Sequence, residues 1–384
     1  MRIGFFFNHD QTHQVAHSLP IALSLIRNEL GVEVVIATTN DRLTGEVERQ
    51  AALAGTPVTV VQLGLERPFS RFAARRLDRL LPASKLLVYR DNLEFFRSLD
   101  VLVVTEKTSL ALKTRYGLDR LKIIHTRHGA GDRAIGFDKA SAGFDHVLVS
   151  GPKIRDRLIR EAGVPPERLS MVGYPKFDLL GDARPRLPMQ ANGRPTVLYN
   201  PHPSPHLSSW YRHGPAVLDH FLRDDRYNLI FAPHVMVFHR RFVVTIDRLR
   251  IDRPGRIDPA VLAAPNIHVD LGSAASTDMT YTMAADIYLG DVSSQVYEFL
   301  YRPRPCLFLN SHGVAYEGDP NYLHWQAGEV IGDPGALGDA LDRAVAQHER
   351  HLPAQRRLFA QSFDLTEEPS ADRAARAILR VLGR

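Results

Sequence analysis

The chain has 384 residues, 44% of them apolar and 24% charged, a globular composition that excludes a largely disordered chain and suits two domains of roughly 150–200 residues. Its 48 Lys and Arg against 43 Asp and Glu leave a formal charge of +5, which permits an anionic partner but selects neither nucleotide, lipid phosphate nor nucleic acid. The single Cys306 excludes an internal disulfide and any zinc site needing two thiolates.

The opening MRIGFFFNHD holds an apolar run too short for a secretory signal, and no window approaches the roughly 18 unbroken apolar residues of a membrane span. A cytoplasmic, reducing compartment is therefore expected. Arg2–Asn8 reads as a buried parallel strand ending at a polar loop. Leu19, Leu23, Ile26 and Leu30 then keep helical spacing up to Gly31, with Ser18 as N-cap and Pro20 in the first turn. Further strands are read at Val32–Thr38, Pro57–Leu63, Asp100–Thr105, Lys122–Thr126 and Phe144–Ser150. Strands alternating with helix-length segments predict βαβ units and a mostly parallel sheet.

Gly181–Pro195, rich in Pro, Gly and Arg, breaks this rhythm, which then restarts. Strands follow at Thr196–Tyr199, Asn228–Ala232, Ile267–Val269, Ala285–Leu289 and Cys306–Leu309, and Ala371–Leu382 reads as a closing helix. The expected domains are residues 1–182 and 196–368, joined by a linker at 183–195, with a terminal helix at 369–384. In open α/β sheets, ligands sit beyond the carboxyl ends of the strands. Polar residues gather at those ends here, where a crevice between two such domains would lie.

Within GDVSSQVYEFLYRPRPCLF a strand ends at Asp291, and Ser293 or Ser294 can cap a helix beginning near Gln295. Hydroxyls, backbone N–H groups and the helix dipole would then face outward as an anion site, against the plainer reading of an ordinary N-cap. Glu298, one turn on, could accept from a sugar hydroxyl or simply be a solvated glutamate. In HTRHGAGDRAIGFDK, His128 follows a strand beside Gly129, Arg127 and Arg133. A histidine there can take a proton from an attacking hydroxyl, although it could equally bond a neighbouring carbonyl. His125 lies within the strand and should face the packing.

His234 ends another apolar run and could stabilise charge on a leaving group. His202 and His206 lie among prolines, which argue against the helix that would align them on a metal. His9, His13 and His17 keep i, i+4 spacing, but Pro20 and the NHDQ stretch favour a polar loop. No metal site is expected, because no D-x-D pattern follows a strand. Phe69, Phe72, Leu77 and Leu80 can share one helical side beside Arg71, Arg75 and Arg79. The plain reading packs that stripe on the sheet. The other lays it on an anionic membrane surface, at the cytoplasmic face. Nucleic-acid binding is not expected, since the basic residues are not interleaved with aromatics across a sheet.

TRHGAGDRAIGFDK resembles the W-H-G-T-P-x-K-x-x-G segment of the CDP-glycerol glycerophosphotransferases, the teichoic-acid primase and polymerase family. GDVSSQVYEFLYRPRPCLF resembles that family's T-D-Y-S-S segment, with Glu298 at its acidic position. Pro233-His234 and YNPHP fall at two further segments. The likeness spans about residues 100–312, and the first motif departs by lacking Trp and Thr-Pro.

The resemblance implies a GT-B fold, an α/β architecture of two Rossmann-like domains whose parallel sheets face a central cleft, with the terminal helix at 369–384 packing back toward the first domain. The second domain would hold a CDP-, UDP- or GDP-linked donor through Asn200, His202, Asp291, Ser293, Ser294 and Glu298. The first would hold a glycan or lipid-linked acceptor through His9, His13, Arg127, Gly129 and Arg133. His128 would be the base and His234 the leaving-group partner, with no cofactor and no metal. Sugar-nucleotide 2-epimerases share that fold and are the alternative. They usually carry Gly-Gly where this chain has Ser293-Ser294.

Overall fold

The apolar runs become parallel strands because both faces of each are buried under helices. A computed structural model describes residues 1–9, 12–28, 31–77, 83–127, 129–181, 183–239, 242–245 and 250–383. It divides into a first unit of Met1–His128, Phe137–Leu180 and Gln361–Arg384, and a second of Gly129–Gly136 and Gly181–Ala360.

The first unit carries β1 (Arg2–Phe7), β2 (Glu33–Thr38), β3 (Val60–Gln62), β4 (Val101–Val104), β5 (Lys122–Thr126), β6 (His146–Val149) and β7 (Leu169–Met171). They lie in the order β3-β2-β1-β4-β5-β6-β7, every neighbour parallel. Side chains alternate across the sheet. Ile3, Phe5 and Phe7 pack with helix Leu19–Arg27 and the last helix, Ser370–Val381. Phe6 packs on the opposite face with Tyr89 and Phe96. The last helix lies on Leu19–Arg27 through buried Ala374, Ala377 and Ile378. Its first N–H groups are capped by Asp178, which accepts from Ser370 N at 3.1 Å and Ala371 N at 2.7 Å.

The second unit carries β8 (Thr196–Asn200), β9 (Asn228–Phe231), the short antiparallel pair β10 (Val243–Thr245) and β11 (Arg250–Asp252), β12 (Ile267–Val269), β13 (Ile287–Gly290), β14 (Cys306–Leu309) and β15 (Glu329–Ile331). Its main sheet runs β12-β9-β8-β13-β14-β15, again parallel throughout. Leaving aside β10 and β11, this repeats the order of the first sheet's first six strands. Both are the doubly wound arrangement, with a switch point between β1 and β4 and between β8 and β13.

The stretch expected as a linker is built into the second unit. Arg184 donates to the carbonyls of Met283 and Ala284 at 3.1 and 2.7 Å, and Gln190 bonds Thr196 Oγ1 at 3.1 Å. The change back to the first unit falls at Gln361, inside helix His348–Ser362. Residues Thr12–His17 form a 3-10 helix rather than the expected polar loop, because Val15, Ala16 and His17 find buried positions. His125 faces the packing, its ring stacked on Phe144 at 4.5 Å.

Candidate functional site: the strand ends of the second unit

Backbone order alone places a crevice at the carboxyl ends of β8 and β13. Asp291, just past β13, is 1% exposed. Its carboxylate accepts from His202 N at 2.9 Å and Val292 N at 2.6 Å. It also takes Ser209 N at 2.6 Å and Ser209 Oγ at 2.8 Å. Burial raises the carboxyl above the usual carboxylate range, while those donors pull it down. Expected to hold the donor, Asp291 is instead occupied by its own unit, and fixes the loop that carries His202.

Ser293 is likewise buried. Its hydroxyl donates to Asn200 Oδ1 at 2.7 Å, and Asn200 Nδ2 donates to the carbonyl of Ala232 at 2.6 Å. The three strand ends of β8, β9 and β13 are thereby stitched side by side. Ser293 Oγ also accepts from Gln295 N at 3.4 Å, whereas Ser294 makes no side-chain cap. The helix it introduces, Gln295–Phe299, has only five residues, so the expected dipole contribution is small. Glu298 is 7% exposed, inside the packing rather than at a surface that meets a sugar. Ser294 remains exposed.

The loop Gly129–Gly136 passes over Ser294. Gly129 has φ +75°, and a Cβ on Gly131 would stand 3.2 Å from Ser294 Cβ, so the close approach suits glycine at both positions. This brings Arg133 to His202, with Nη1 3.4 Å from the ring Nε2. His202 Nδ1 accepts from Ser204 N at 3.0 Å, which places the proton of a neutral ring on Nε2. Two donors therefore point into one small space, an arrangement that an anion completes. Burial, then Arg133 and the neighbouring histidines, hold His202 well below the ordinary histidine range.

The His234 ring lies 6.5 Å from that of His202. Its Nδ1 accepts from Met236 N at 3.2 Å, so its neutral form also presents N–H at Nε2. Burial pushes its pKa down to about 4. At neutral pH His234 is thus a hydrogen-bond donor rather than a cation.

Four residues that the sequence reading passed over complete the region. Asp132 accepts from Tyr297 OH at 2.7 Å and from His324 N at 3.1 Å. His324 Nδ1 stands 2.9 Å from Asp132 Oδ2, and its Nε2 donates to the carbonyl of Asp291 at 3.0 Å. Trp325 Nε1 donates to that same carbonyl at 2.7 Å. Asp132 and Tyr297 lie within the two segments singled out by motif, so proximity in sequence was the available signal. His324 follows no strand and gave none.

The residues expected to bind acceptor separate. Gly129 and Arg133 belong to the second unit. His9, His13 and Arg127 belong to the first, and His128 lies outside the described residues. His9 is buried, with Nδ1 2.8 Å from Glu106 Oε1 and Nε2 2.8 Å from Thr105 Oγ1. Glu106 also accepts from Lys85 Nζ at 3.3 Å and Thr108 Oγ1 at 3.1 Å. His13 sits partly buried in the 3-10 helix. The Arg127 guanidinium lies 4.5 Å from the Phe137 ring centroid, and burial beside Arg157 pushes it down to about 10.

No family model and no curated protein sequence matches the chain. Solved structures do match its fold. A Listeria monocytogenes protein provisionally assigned as a UDP-N-acetylglucosamine 2-epimerase aligns with TM-score 0.61 and 14% identity, over 99% of this chain and 95% of its own. A variant of the wall teichoic acid polymerase TagF, soaked with CDPG, aligns with TM-score 0.61 and 13% identity, over 100% of this chain and 88% of its own. The glycotransferase of kitacinnamycin aligns with TM-score 0.58 and 15% identity, over 99% and 98%. With two doubly wound parallel sheets in chain order, the chain shares the GT-B-like fold of these proteins.

Proposed function

We propose that the chain is a transferase that moves a glycerophosphate or glycosyl group from a nucleotide-diphosphate donor to a hydroxyl of a cell-envelope glycan or lipid-linked acceptor. One observation carries this reading: Arg133 and His202, two donors 3.4 Å apart, meet at the β8/β13 switch point with His234 beside them. Arginine and imidazole N–H groups in a partly desolvated crevice recognise phosphate oxygens. The likeness in fold to a polymerase soaked with CDPG and to a glycotransferase supports the same class.

In this reading Arg133 and the neutral N–H of His202 donate to the diphosphate oxygens, and no metal is called for. His234 donates to the oxygen that leaves with the nucleotide. Asn200 and Ser293 hold the strand ends in place, and His128 takes the proton of the attacking hydroxyl. The acceptor falls to the first unit, whose strand ends carry His9 and Arg127. Attack falls on phosphorus if the donor is CDP-glycerol and on the anomeric carbon if it is a nucleotide sugar.

The test is a thermal-shift screen across CDP, UDP, GDP and CMP, since a ligand of the folded state alone raises its melting temperature. Stabilisation by a diphosphate above CMP is expected, and the preferred base names the donor class. No response to any of them sinks the donor site. The epimerase reading shares the same likeness in fold, the Listeria protein aligning with a TM-score equal to that of the polymerase. Epimer formation from one nucleotide sugar without acceptor would establish it against transfer.

We also propose that the helix Pro68–Leu77 rests on an anionic membrane surface. Phe69 and Phe72, expected to pack on the sheet in the plainer reading, are 66% and 60% exposed. Arg90 lies 5.5 Å from the Phe69 ring centroid and Arg76 5.3 Å from that of Phe72. Arg71, itself exposed, donates to the carbonyls of Leu65 and Glu66 at 2.8 and 3.2 Å. Arg79 and Leu80, and the side chains of Arg75 and Leu77, lie outside the described residues. Among the described residues no helix is long and apolar enough to cross a membrane. Co-sedimentation with vesicles should require anionic lipid and fall with Phe69→Ser/Phe72→Ser. Binding indifferent to both would refute it.

A further inference from the structure

We infer that Asp132 and His324 are positioning residues that set Arg133 and His202 at the spacing a phosphate group needs. The inference rests on the donor-site reading above and adds the device that builds the site. Both arms of the pair are anchored to one buried node. Arg133 follows Asp132, whose carboxylate accepts from Tyr297 OH and His324 N and lies 2.9 Å from His324 Nδ1. His324 Nε2 then reaches the carbonyl of Asp291 at 3.0 Å. The carboxylate of that same Asp291 holds His202 N at 2.9 Å. From the segment that carries Arg133 to the one that carries His202, the connection is thus Asp132, His324, Asp291.

Its burial makes this connection stiff. Asp132 and His324 are each 3% exposed and Tyr297 is 1% exposed, so water does not compete for their bonds. His324 Nε2 faces a carbonyl, which only accepts, and therefore carries hydrogen. Nδ1 faces Asp132, so the ring is held at both ends and cannot swing. The glycines beside the node fit it: Gly129 and Gly131 let the loop lie against Ser294, while the polar side chain between them and Arg133 supplies the anchor. None of the three touches the proposed phosphate. They act through Arg133 and His202.

A double-mutant cycle with inorganic pyrophosphate, read by calorimetry on the full chain, tests this. Arg133→Ala should weaken pyrophosphate about tenfold or more, the loss of one charge-assisted contact. Asp132→Asn keeps the shape but turns an amide toward donors, and should weaken it about tenfold with Arg133 still present. In the double variant the losses should fall short of multiplying, because part of what Asp132 does is to place Arg133, and that part is already lost once the arginine is gone. Tyr297→Phe, which leaves the Asp132–His324 pair intact, serves if Asp132→Asn does not fold, with a loss of about two- to fivefold and the same non-additivity. Full multiplication of the two factors, or unaltered binding by Asp132→Asn or by Tyr297→Phe, overturns the positioning role. Pyrophosphate ignored by the unmodified chain would instead overturn the donor site itself.

Discussion

The two sheets share one strand order, yet their switch points are chemically unlike. In the first unit a histidine after β1, His9, meets a carboxylate after β4, Glu106, at 2.8 Å, and Thr105 takes its other nitrogen. Acid, base and the Lys85 cation satisfy one another. In the second unit the corresponding carboxylate, Asp291, never meets the His202 ring. It is consumed by backbone N–H groups, and the ring turns toward Arg133. Topology locates a crevice in both units. Whether that crevice is closed on itself or rich in donors is decided by what the acidic residue of the fourth strand binds.

The largest effect should come from removing that acidic residue in the second unit. Asp291→Ala strands the N–H groups of His202, Ser209 and Val292 in a buried site. Each unsatisfied buried donor costs about 1–3 kcal/mol, so a loss of about 3 kcal/mol or more is expected in urea unfolding. A loss below about 1 kcal/mol would mean that the carboxylate does not hold these loops. The contrast drawn between the two switch points would then fail on the second unit's side.

Acid should reveal the same difference through His234. Its folded pKa of about 4 lies below the ordinary histidine value of 6.5, so the folded form binds fewer protons than the unfolded form between those values. Stability is complete above pH 6.5 and falls as the unfolded chain takes up the proton. The loss is about 2 kcal/mol by pH 5 and ends once both forms are protonated near pH 4. His234→Gln should flatten this part of the profile by that amount. Urea midpoints measured from pH 7 to 5 give the answer, and an unchanged slope in the variant would place the buried histidine elsewhere.

Strand ends were the legible part of the site. The positions of Asn200, His202, His234, Asp291 and Ser293 follow from where apolar runs stop, and the structure gathers these residues at three adjacent strand ends. Direction was not legible. Asp291 and Ser293 turn to backbone and side-chain partners inside the unit, which depends on loops contributed from positions 200–209, far off in sequence. Arg133 was expected on the acceptor side because its segment follows β5 of the first unit. The buried Asp132–His324–Tyr297 cluster that seats it in the second joins positions up to 192 residues apart, and no periodicity reports that. The edge strands β7 and β15 were missed as well, at three residues each.

The smallest effect, and the sharpest test of the contrast, belongs to Glu106 in the first unit. Its carboxylate is pushed up by burial and drawn down by His9 and Lys85, with a net fall below the ordinary value, so it is ionised and engaged at neutral pH. Glu106→Gln keeps the shape and can still accept from one neighbour. It sets an amide N–H against the remaining donors, His9, Lys85 or Thr108, which should cost about 1–2 kcal/mol. If the first switch point is closed on itself, that cost appears in urea unfolding alone, and the nucleotide that stabilises the unmodified chain should bind the variant within about twofold. Loss of nucleotide stabilisation in Glu106→Gln, with the variant still folded, would reverse the assignment. The closed cluster would then be a ligand site, and the donor-rich crevice of the second unit would not by itself account for binding.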